Sequence, residues 1–350
     1  MEKKYLEHGF QKIRINIINK CTVGDASQLC TIFSLFEYNK LSSIQKEDNK
    51  MPEGYTYQKL QNDIRELKAT YPFLEIGNIG YSVLGRQIPY IRIGSGQKEV
   101  FYNASFHANE WITTPVLMKF IEDYAAQYAL NGTLNGFRAR ELYNAVSLFV
   151  VPMVNPDGVD LVTGGLQTVD NPYRSAQEIA KNFPDIPFPS GWKANIDGVD
   201  LNLQFPAGWA EAKEIKYSQG YTKPAPRDFV GEGPLVARES LAVYNFTLAH
   251  NFRLVIAYHT QGQEIYWKFL NYQPPMAEFI AQQFARVSGY RVADVPYQSG
   301  FAGYKDWFVQ NYNRPGYTIE AGIGENPLPI EQFSEIYRDN FGIFVLGLVL

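Results

Sequence analysis

Four side chains that can bind a metal or move protons follow apolar, strand-like runs of this sequence. His107 and Glu110 come after VFYNASF, His259 ends the run LVIAYH, and Glu320 ends GYTIE. In open α/β sheets reactive groups collect at the carboxyl ends of strands, so we expect these side chains to meet at one edge. Two histidines and one glutamate form a known ligand set for catalytic zinc, with one position left for water. The pattern predicts a hydrolytic site with one zinc ion.

The placement of the histidines strengthens this interpretation. The chain has four histidines, and two of them, His107 and His259, terminate apolar strands, where a buried imidazole needs a partner. His8 and His250 lack such a setting, and we assign them no role. Each residue taken singly is weak evidence, because a strand-end histidine or a turn carboxylate is common in any protein of this size.

The elements that must position these groups alternate between strand-like and helical patterns. Leu60, Ile64 and Leu67 recur at helical spacing, the turn at 84–87 joins two strands into a predicted hairpin, and Pro115 suits a first helical position. Four further apolar runs of strand type follow, separated by helical patterns, and the chain is expected to close with a helix. This alternation predicts an α/β fold with a mixed, mostly parallel central sheet flanked by helices on both faces.

Composition limits the classes of partner. The 350 residues carry 32 Lys and Arg against 36 Asp and Glu, a net charge of −4, which argues against nucleic acid because phosphate contacts need clustered cations. No apolar run is long enough to span a membrane, and the first residues do not resemble a secretory signal. Cys21 and Cys30 fit neither a paired zinc-finger pattern nor a disulfide framework. We therefore expect a cytoplasmic protein with reduced thiols.

Residues 1–50 differ from the alternating pattern and precede a catalytic domain that is expected to span 54–350. Val23, Gly24 and Asp25 stand before the apolar stretch LCTIFSLF, an order that resembles the LysM module, a small glycan-binding unit. Two interpretations stay open. The segment is either a degenerate LysM-like module that contacts peptidoglycan glycan, or an N-terminal arm without a module.

Several motifs occur together in an order that resembles a known family. HANEW, NPDG, WKAN, GVDLN, the strand-terminal histidine and YTIEAG follow one another as they do in zinc carboxypeptidases of the carboxypeptidase A type. The resemblance implies the fold of that family and one zinc ion held by His107, Glu110 and His259, with both oxygens of Glu110 binding. It also implies that Glu320 is the general base of metal-assisted amide hydrolysis.

The same resemblance implies residues that stabilise charge or bind substrate. Lys193 stands where the family usually has an arginine that stabilises the oxyanion, and Asn202 matches an asparagine that holds the substrate carboxylate. The segment 296–307 resembles a mobile loop that carries a substrate-contacting tyrosine in the family. Tyr297 is the first candidate for that tyrosine, and Tyr304 is the second.

The chain departs from the family in one motif. The family reads D-L-N-R-N-F, whereas this chain has Leu203 in place of the arginine that pairs with the C-terminal carboxylate of a peptide. Leucine offers only apolar contact where a guanidinium offers a bidentate fork. The segment GVDLNLQFPAGW is more similar to the γ-D-glutamyl-diamino acid peptidases, bacterial relatives that cut the stem peptides of cell-wall peptidoglycan.

The expected function is hydrolysis of the amide bond between D-Glu and diaminopimelate in peptidoglycan stem peptides, with a peptide or muropeptide as the partner. Three alternatives stay open. A conventional metallocarboxypeptidase acting on protein C-termini is disfavoured by Leu203, whereas an N-acyl amino acid deacylase shares the fold and the metal pattern. A non-catalytic cell-wall-binding protein is disfavoured by Glu320, because a structural zinc needs no base.

Overall fold

The computed structural model describes residues 54–350, the range in which the sequence places the catalytic domain. The N-terminal hypothesis, a LysM-like module or an arm, concerns residues 1–50 and lies outside the described residues, as do both cysteines. It stays a prediction. Between residue 54 and residue 350, every helix is too short or too polar to cross a bilayer.

The centre of the fold is an eight-stranded mixed sheet. The strands of the described chain are β1 Glu75–Tyr81, β2 Gln87–Ile93, β3 Lys98–Ala104, β4 Thr133–Leu134, β5 Phe137–Arg138, β6 Val146–Val151, β7 Phe252–His259, β8 Glu264–Tyr266, β9 Arg291–Val292 and β10 Gly316–Glu320. The order in the sheet is β1-β2-β6-β3-β7-β10-β8-β9, while β4 and β5 pair separately. The central strands β6, β3, β7 and β10 are parallel, and antiparallel pairs lie on both sides of them.

Helices cover both faces of this sheet. Those of residues 54–350 are α1 Tyr57–Thr70, α2 Thr113–Ala129, α3 Ala139–Ala145, α4 Pro156–Thr163, α5 Asn171–Ala180, α6 Trp209–Ser218, α7 Arg238–Leu248, α8 Ala277–Ser288, α9 Tyr304–Tyr312 and α10 Phe333–Val349. One apolar core joins the sheet to α1, α2, α8 and α10, and a second joins it to α6, α7 and α9. Tyr102 belongs to the first core and its neighbour Phe101 to the second, because successive strand residues face opposite sides. The predicted α/β fold with a mixed, mostly parallel sheet is confirmed.

Local signals in the sequence account for the first helix and the first hairpin. Helix α1 buries the three apolar residues at helical spacing, and the side chain of Thr56 caps it by accepting from Lys59 N. The predicted hairpin is β1 and β2. One boundary was wrong: α2 begins at Thr113, so Pro115 is its third residue. A 3-10 turn at Ala108–Glu110 leads almost directly into this helix, which therefore starts before the proline.

The parallel centre of the sheet brings the predicted site residues to one edge. His259 is the last residue of β7 and Glu320 the last residue of β10, and these two residues are partners in the parallel register. His107 follows β3, which is the other parallel neighbour of β7. All three positions therefore lie at the carboxyl ends of adjacent strands.

A buried asparagine joins the two loops that approach this edge from β3 and from residues 190–200. Asn155 caps α4, where its Oδ1 accepts from Gly158 N at 3.0 Å. Its Nδ2 donates to Phe106 O at 3.2 Å and to Ala194 O at 2.9 Å. Phe106 precedes His107 in the chain, and Ala194 follows Lys193. The amide of Asn155 therefore positions both loops.

We expect the substitution Asn155→Ala to destabilise the protein strongly. It removes a helix cap, worth about 1 kcal/mol, and leaves two buried carbonyl groups unpaired at about 1–3 kcal/mol each. The expected loss in the free energy of unfolding is about 3 kcal/mol or more, measured by urea denaturation. The exposed Asn245→Ala on α7 is the matched control and should change little. Equal stability of the two variants would contradict the positioning role of Asn155.

Candidate metal centre and cleft

Three side chains direct four electron-pair donors at one point. His107 Nδ1 lies 2.9 Å from Glu110 Oε1, and His259 Nδ1 lies 2.9 Å from Glu110 Oε2. The two Nδ1 atoms are 3.3 Å apart. Each of the three residues offers a ligand atom, and these atoms lie within 4.8 Å of one another. This group can therefore hold a metal ion.

The chemistry of the donor set fits zinc. Two imidazole nitrogens and one carboxylate are the ligands of many catalytic zinc sites, which leave a further position for water or substrate. Glu110 and His259 are almost completely buried, with side-chain exposures of 1% and 2%. Buried donors without a cation between them would repel one another, whereas a divalent cation satisfies all of them.

A second carboxylate orients His107. Asp200 Oδ1 lies 3.2 Å from His107 Nε2, so the imidazole can donate from Nε2 and keep the Nδ1 electron pair for a metal. Asp200 is fixed in turn, because Asn202 N donates to Oδ1 and Asp228 N donates to Oδ2, both at 3.1 Å. Sequence reasoning did not assign this role to Asp200, although its place in the GVDLN motif was a usable signal.

The three central groups differ in protonation. Burial alone would lower the pKa of His107, but the carboxylates of Glu110 and Asp200 outweigh it and raise this pKa to about 9. Burial lowers the pKa of His259. Burial alone would raise the pKa of Glu110, but His107, Lys193 and His259 outweigh it and hold this pKa well below the usual range. Of these three candidate ligands, His107 is therefore the one expected to carry an extra proton at neutral pH.

Glu320 faces the same cleft from the end of β10. No hydrogen bond joins its carboxylate to another side chain or backbone group of the described chain. Burial, followed by the negative charge of Glu110, raises the pKa of Glu320 to about 8. A carboxyl group with a pKa near neutrality can both accept and donate a proton.

Lys193 lies at the edge of the metal position. Its Nζ is 2.8 Å from Glu110 Oε1, one of the oxygens directed at the centre. Its backbone is fixed on both sides, because its N–H donates to Pro226 O at 2.7 Å and its carbonyl accepts from Ala108 N at 3.0 Å. The ammonium is thus held beside the point where the ligands converge.

Asn202 and Leu203 both line the cleft next to Asp200. Asn202 Oδ1 accepts from Tyr304 N at 3.0 Å, so its amide Nδ2 is the end left to donate to a bound molecule. Leu203 is 93% buried and provides an apolar wall where the family pattern has a guanidinium. Gln204 stands where the family motif has its second asparagine. Its Nε2 donates to Val230 O and its Oε1 accepts from Ala237 N, so this side chain holds the following loop.

The two candidate tyrosines occupy different environments. Tyr297 is 60% exposed, lies between the cleft-lining residues Pro296 and Ser299, and bonds Glu211 through its hydroxyl. Tyr304 is fully buried in the second apolar core, where its hydroxyl lies 3.0 Å from Thr247 Oγ1. The structure does not bring the side chain of Tyr304 to the cleft. Its backbone N–H is what contributes there, by orienting Asn202.

The cleft has a volume of about 660 Å³ and contains charged groups that sequence reasoning missed. Arg227, Lys216 and Asp228 line one part of its wall, and Lys305 and Asp306 line another. All of them stand in loops or at helix ends with no strand-end signal, which explains why they were not singled out. The cleft therefore has two charged regions beside the metal centre.

Comparisons with known proteins agree with this geometry. The family model described as zinc carboxypeptidase matches residues 60–342. The chain is 47% identical over 303 residues to the γ-D-glutamyl-L-diamino acid endopeptidase 1 of Lysinibacillus sphaericus, covering 85% of this chain and 73% of that protein. It is 40% identical over 306 residues to the uncharacterized protein YqgT of Bacillus subtilis strain 168, covering 87% and 79%.

A solved structure shares the fold at low sequence identity. The crystal structure of thrombin activatable fibrinolysis inhibitor superposes with a TM-score of 0.67 at 16% identity, covering 91% of this chain and 80% of that one. At this level of identity the likeness concerns the architecture alone. It agrees with the eight-stranded sheet and the two helical layers described above.

We expect the affinity of the protein for zinc to rise with pH. Metal binding requires a neutral His107, whose pKa of about 9 means that one proton must leave at neutral pH. Because burial lowers the pKa of His259 and the neighbouring cations lower that of Glu110, His107 is the ligand expected to release the proton. The dissociation constant should then fall about tenfold per unit between pH 6 and pH 7.5. Competition with a chromophoric chelator measures this slope.

Two histidine variants provide the control for this expectation. His107→Ala should lose zinc on dialysis, while His250→Ala, whose imidazole bonds Glu99 outside the cleft, should retain it. A zinc affinity that does not depend on pH, or unchanged zinc content in His107→Ala, would contradict the assignment of His107.

Proposed function

Because the chain belongs to the zinc carboxypeptidase family, we propose that it hydrolyses an amide bond in peptidoglycan stem peptides, between a γ-D-glutamyl residue and a diamino acid. The observation that carries this proposal is the 47% identity, over 85% of the chain, to a γ-D-glutamyl-L-diamino acid endopeptidase. Leu203 supports it. A peptidase that grips an ordinary peptide C-terminus needs a cation there, and leucine offers none.

His107, Glu110 and His259 are the proposed ligands of one zinc ion. Zinc held by these residues would act as a Lewis acid and would make a water molecule acidic enough to ionise near neutral pH. The protein keeps the three ligands converged at adjacent strand ends. Once His107 has lost its extra proton, Asp200 would hold the remaining proton on Nε2 and so leave Nδ1 free for the metal.

Glu320 is the proposed general base. Its carboxylate lines the cleft with no hydrogen bond to the described residues, so it is available to the attacking water. It would take a proton from that water and donate it to the leaving amine nitrogen. A pKa of about 8 suits both halves of this transfer, since the group can exist in either form near neutral pH.

Lys193 and Asn202 are proposed to act on the substrate. The ammonium of Lys193 lies beside the ligand Glu110, where it can stabilise negative charge that develops on the carbonyl oxygen. The free amide end of Asn202 can donate to a carboxylate of the diamino acid. Tyr297 stays a candidate for substrate contact from the rim of the cleft, which would require its hydroxyl to leave Glu211.

Incubation with defined substrates tests the proposed function. We expect the zinc-loaded protein to cleave L-Ala-γ-D-Glu-diaminopimelate and to release L-Ala-D-Glu, identified by mass spectrometry. Hippuryl peptides test the conventional carboxypeptidase alternative, and acyl amino acids test the deacylase alternative. Cleavage of either of these alone, or binding of peptidoglycan without any product, would overturn the proposal.

The role of Glu320 is tested by the substitution Glu320→Gln. This change keeps the shape of the side chain but removes proton transfer, which contributes about 10²–10⁴-fold to the rate. We expect kcat on the stem tripeptide to fall by that factor while the zinc content stays unchanged. The control is Glu278→Gln, an exposed carboxylate on α8. Near-normal turnover by zinc-replete Glu320→Gln would remove Glu320 from the mechanism.

A further inference from the structure

The proposed substrate carries a charge that the groups assigned so far do not bind. In a γ-linked glutamyl residue the α-carboxylate is not part of the peptide bond, so it stays free and ionised on the acyl side of the bond that is cut. Its carbon lies four carbon–carbon bonds from the reacting carbonyl carbon. A site for such a substrate therefore needs a cation close to the reacting centre, on the side opposite the diamino acid.

The backbone around Arg227 is joined to two residues beside the metal centre. Pro226 O accepts hydrogen bonds from Lys193 N at 2.7 Å and Ala194 N at 2.9 Å. On the other side of Arg227, Asp228 N donates to Asp200 Oδ2 at 3.1 Å. The segment that carries Arg227 is therefore fixed between the lysine that contacts Glu110 and the carboxylate that orients His107.

The guanidinium of Arg227 is held in place by one hydrogen bond, and its other donors have no partner among the described residues. Its Nε lies 2.7 Å from Asp228 Oδ2, which holds the side chain in place. No hydrogen bond joins its Nη1 or Nη2 to the described residues. The side chain lines the cleft and is 42% exposed. A guanidinium with free Nη donors can bind a carboxylate through two parallel hydrogen bonds.

Asp228, which holds the side chain of Arg227, has an uncommon backbone conformation. Its φ is 66°, in the left-handed region that aspartate adopts more readily than most residues. Its Oδ1 is 2.6 Å from the buried Nζ of Lys216, so both of its oxygens have cationic partners. Left-handed residues of this kind cluster where surrounding contacts fix a functional loop.

The lysines that line the cleft already have partners within the protein. Lys193 contacts the proposed metal ligand Glu110, and Lys216 is 7% exposed and paired with Asp228. Lys305 is 4% exposed, donates to Lys268 O at 2.6 Å and pairs with Asp306. Among the lysines and arginines of residues 54–350 that line the cleft, Arg227 is the one whose side chain is substantially exposed and has unused donors.

We propose that Arg227 binds the free α-carboxylate of the γ-D-glutamyl residue and so selects γ-linked substrates. The inference rests on the proposed function, because it identifies the substrate group that this part of the cleft recognises. Arg227 acts beside Lys193: the lysine faces the reacting carbonyl, and the guanidinium faces the carboxylate next to it.

A pair of substrates tests this inference without any substitution in the protein. L-Ala-γ-D-Glu-diaminopimelate is compared with the same peptide in which the α-carboxylate of D-Glu is a carboxamide. The two peptides are nearly the same size and differ in charge at that group. We expect the zinc-loaded protein to have a kcat/KM about 10- to 100-fold higher for the carboxylate form, the range that a hydrogen bond between charged groups supplies.

Substitution of the arginine should abolish this preference. For Arg227→Ala we expect kcat/KM to fall about 10- to 100-fold on the carboxylate form and to change little on the carboxamide form, with unchanged zinc content. Arg227→Lys should restore part of the preference, because it keeps the charge but loses the fork. Arg65→Ala, an exposed arginine on α1, is the matched control.

The outcomes separate this inference from the proposed function. If the zinc-loaded protein cleaves neither peptide, the proposed function is wrong. If it cleaves both peptides equally well, the proposed function holds and the role of Arg227 is wrong. If Arg227→Ala loses activity equally on both peptides, or loses zinc, the arginine supports the metal centre through Asp228 and Asp200, which also overturns the inference.

Discussion

The structure depends on the enforced closeness of four electron-pair donors. Two imidazole nitrogens and both oxygens of a glutamate are held around one point, with the nitrogens 3.3 Å apart. Such a cluster persists because the parallel strands β3, β7 and β10 fix the backbone positions and because burial leaves the side chains no other place. Zinc chemistry follows from this constraint, as do the displaced pKa values of His107, His259 and Glu320.

The parts of the site that the sequence predicts well are those that follow regular strands. His107, His259 and Glu320 each come directly after, or end, an apolar run, and parallel pairing brings such ends together whatever the loops do. The helices and hairpin were predictable for the same reason, since periodic burial is visible in a single sequence. The start of α2 was not predicted, because its first residue depends on the preceding turn and not on the proline.

Other features depend on contacts that no local pattern reveals. The backbone N–H of Asp228 donates to the side chain of Asp200, 28 residues earlier in the chain, and the side chain of Asp228 holds Arg227. Tyr304 resembled a loop residue in the sequence, yet α9 begins at that position and turns its ring into the second core. These features depend on contacts between residues far apart in the sequence, so they are visible only in the folded structure.

Asp200 bonds the imidazole that faces the metal and also the backbone that carries Arg227. If His107 binds the metal and Arg227 binds the substrate anion as proposed, one carboxylate takes part in two binding events, and thermodynamic linkage makes their coupling reciprocal. An anion that tightens the contact between Asp228 and Asp200 changes the basicity of His107, and a cation at His107 changes the hold on the anion by the same factor. On the proposed assignments, retention of the metal and choice of substrate are therefore linked through one carboxylate.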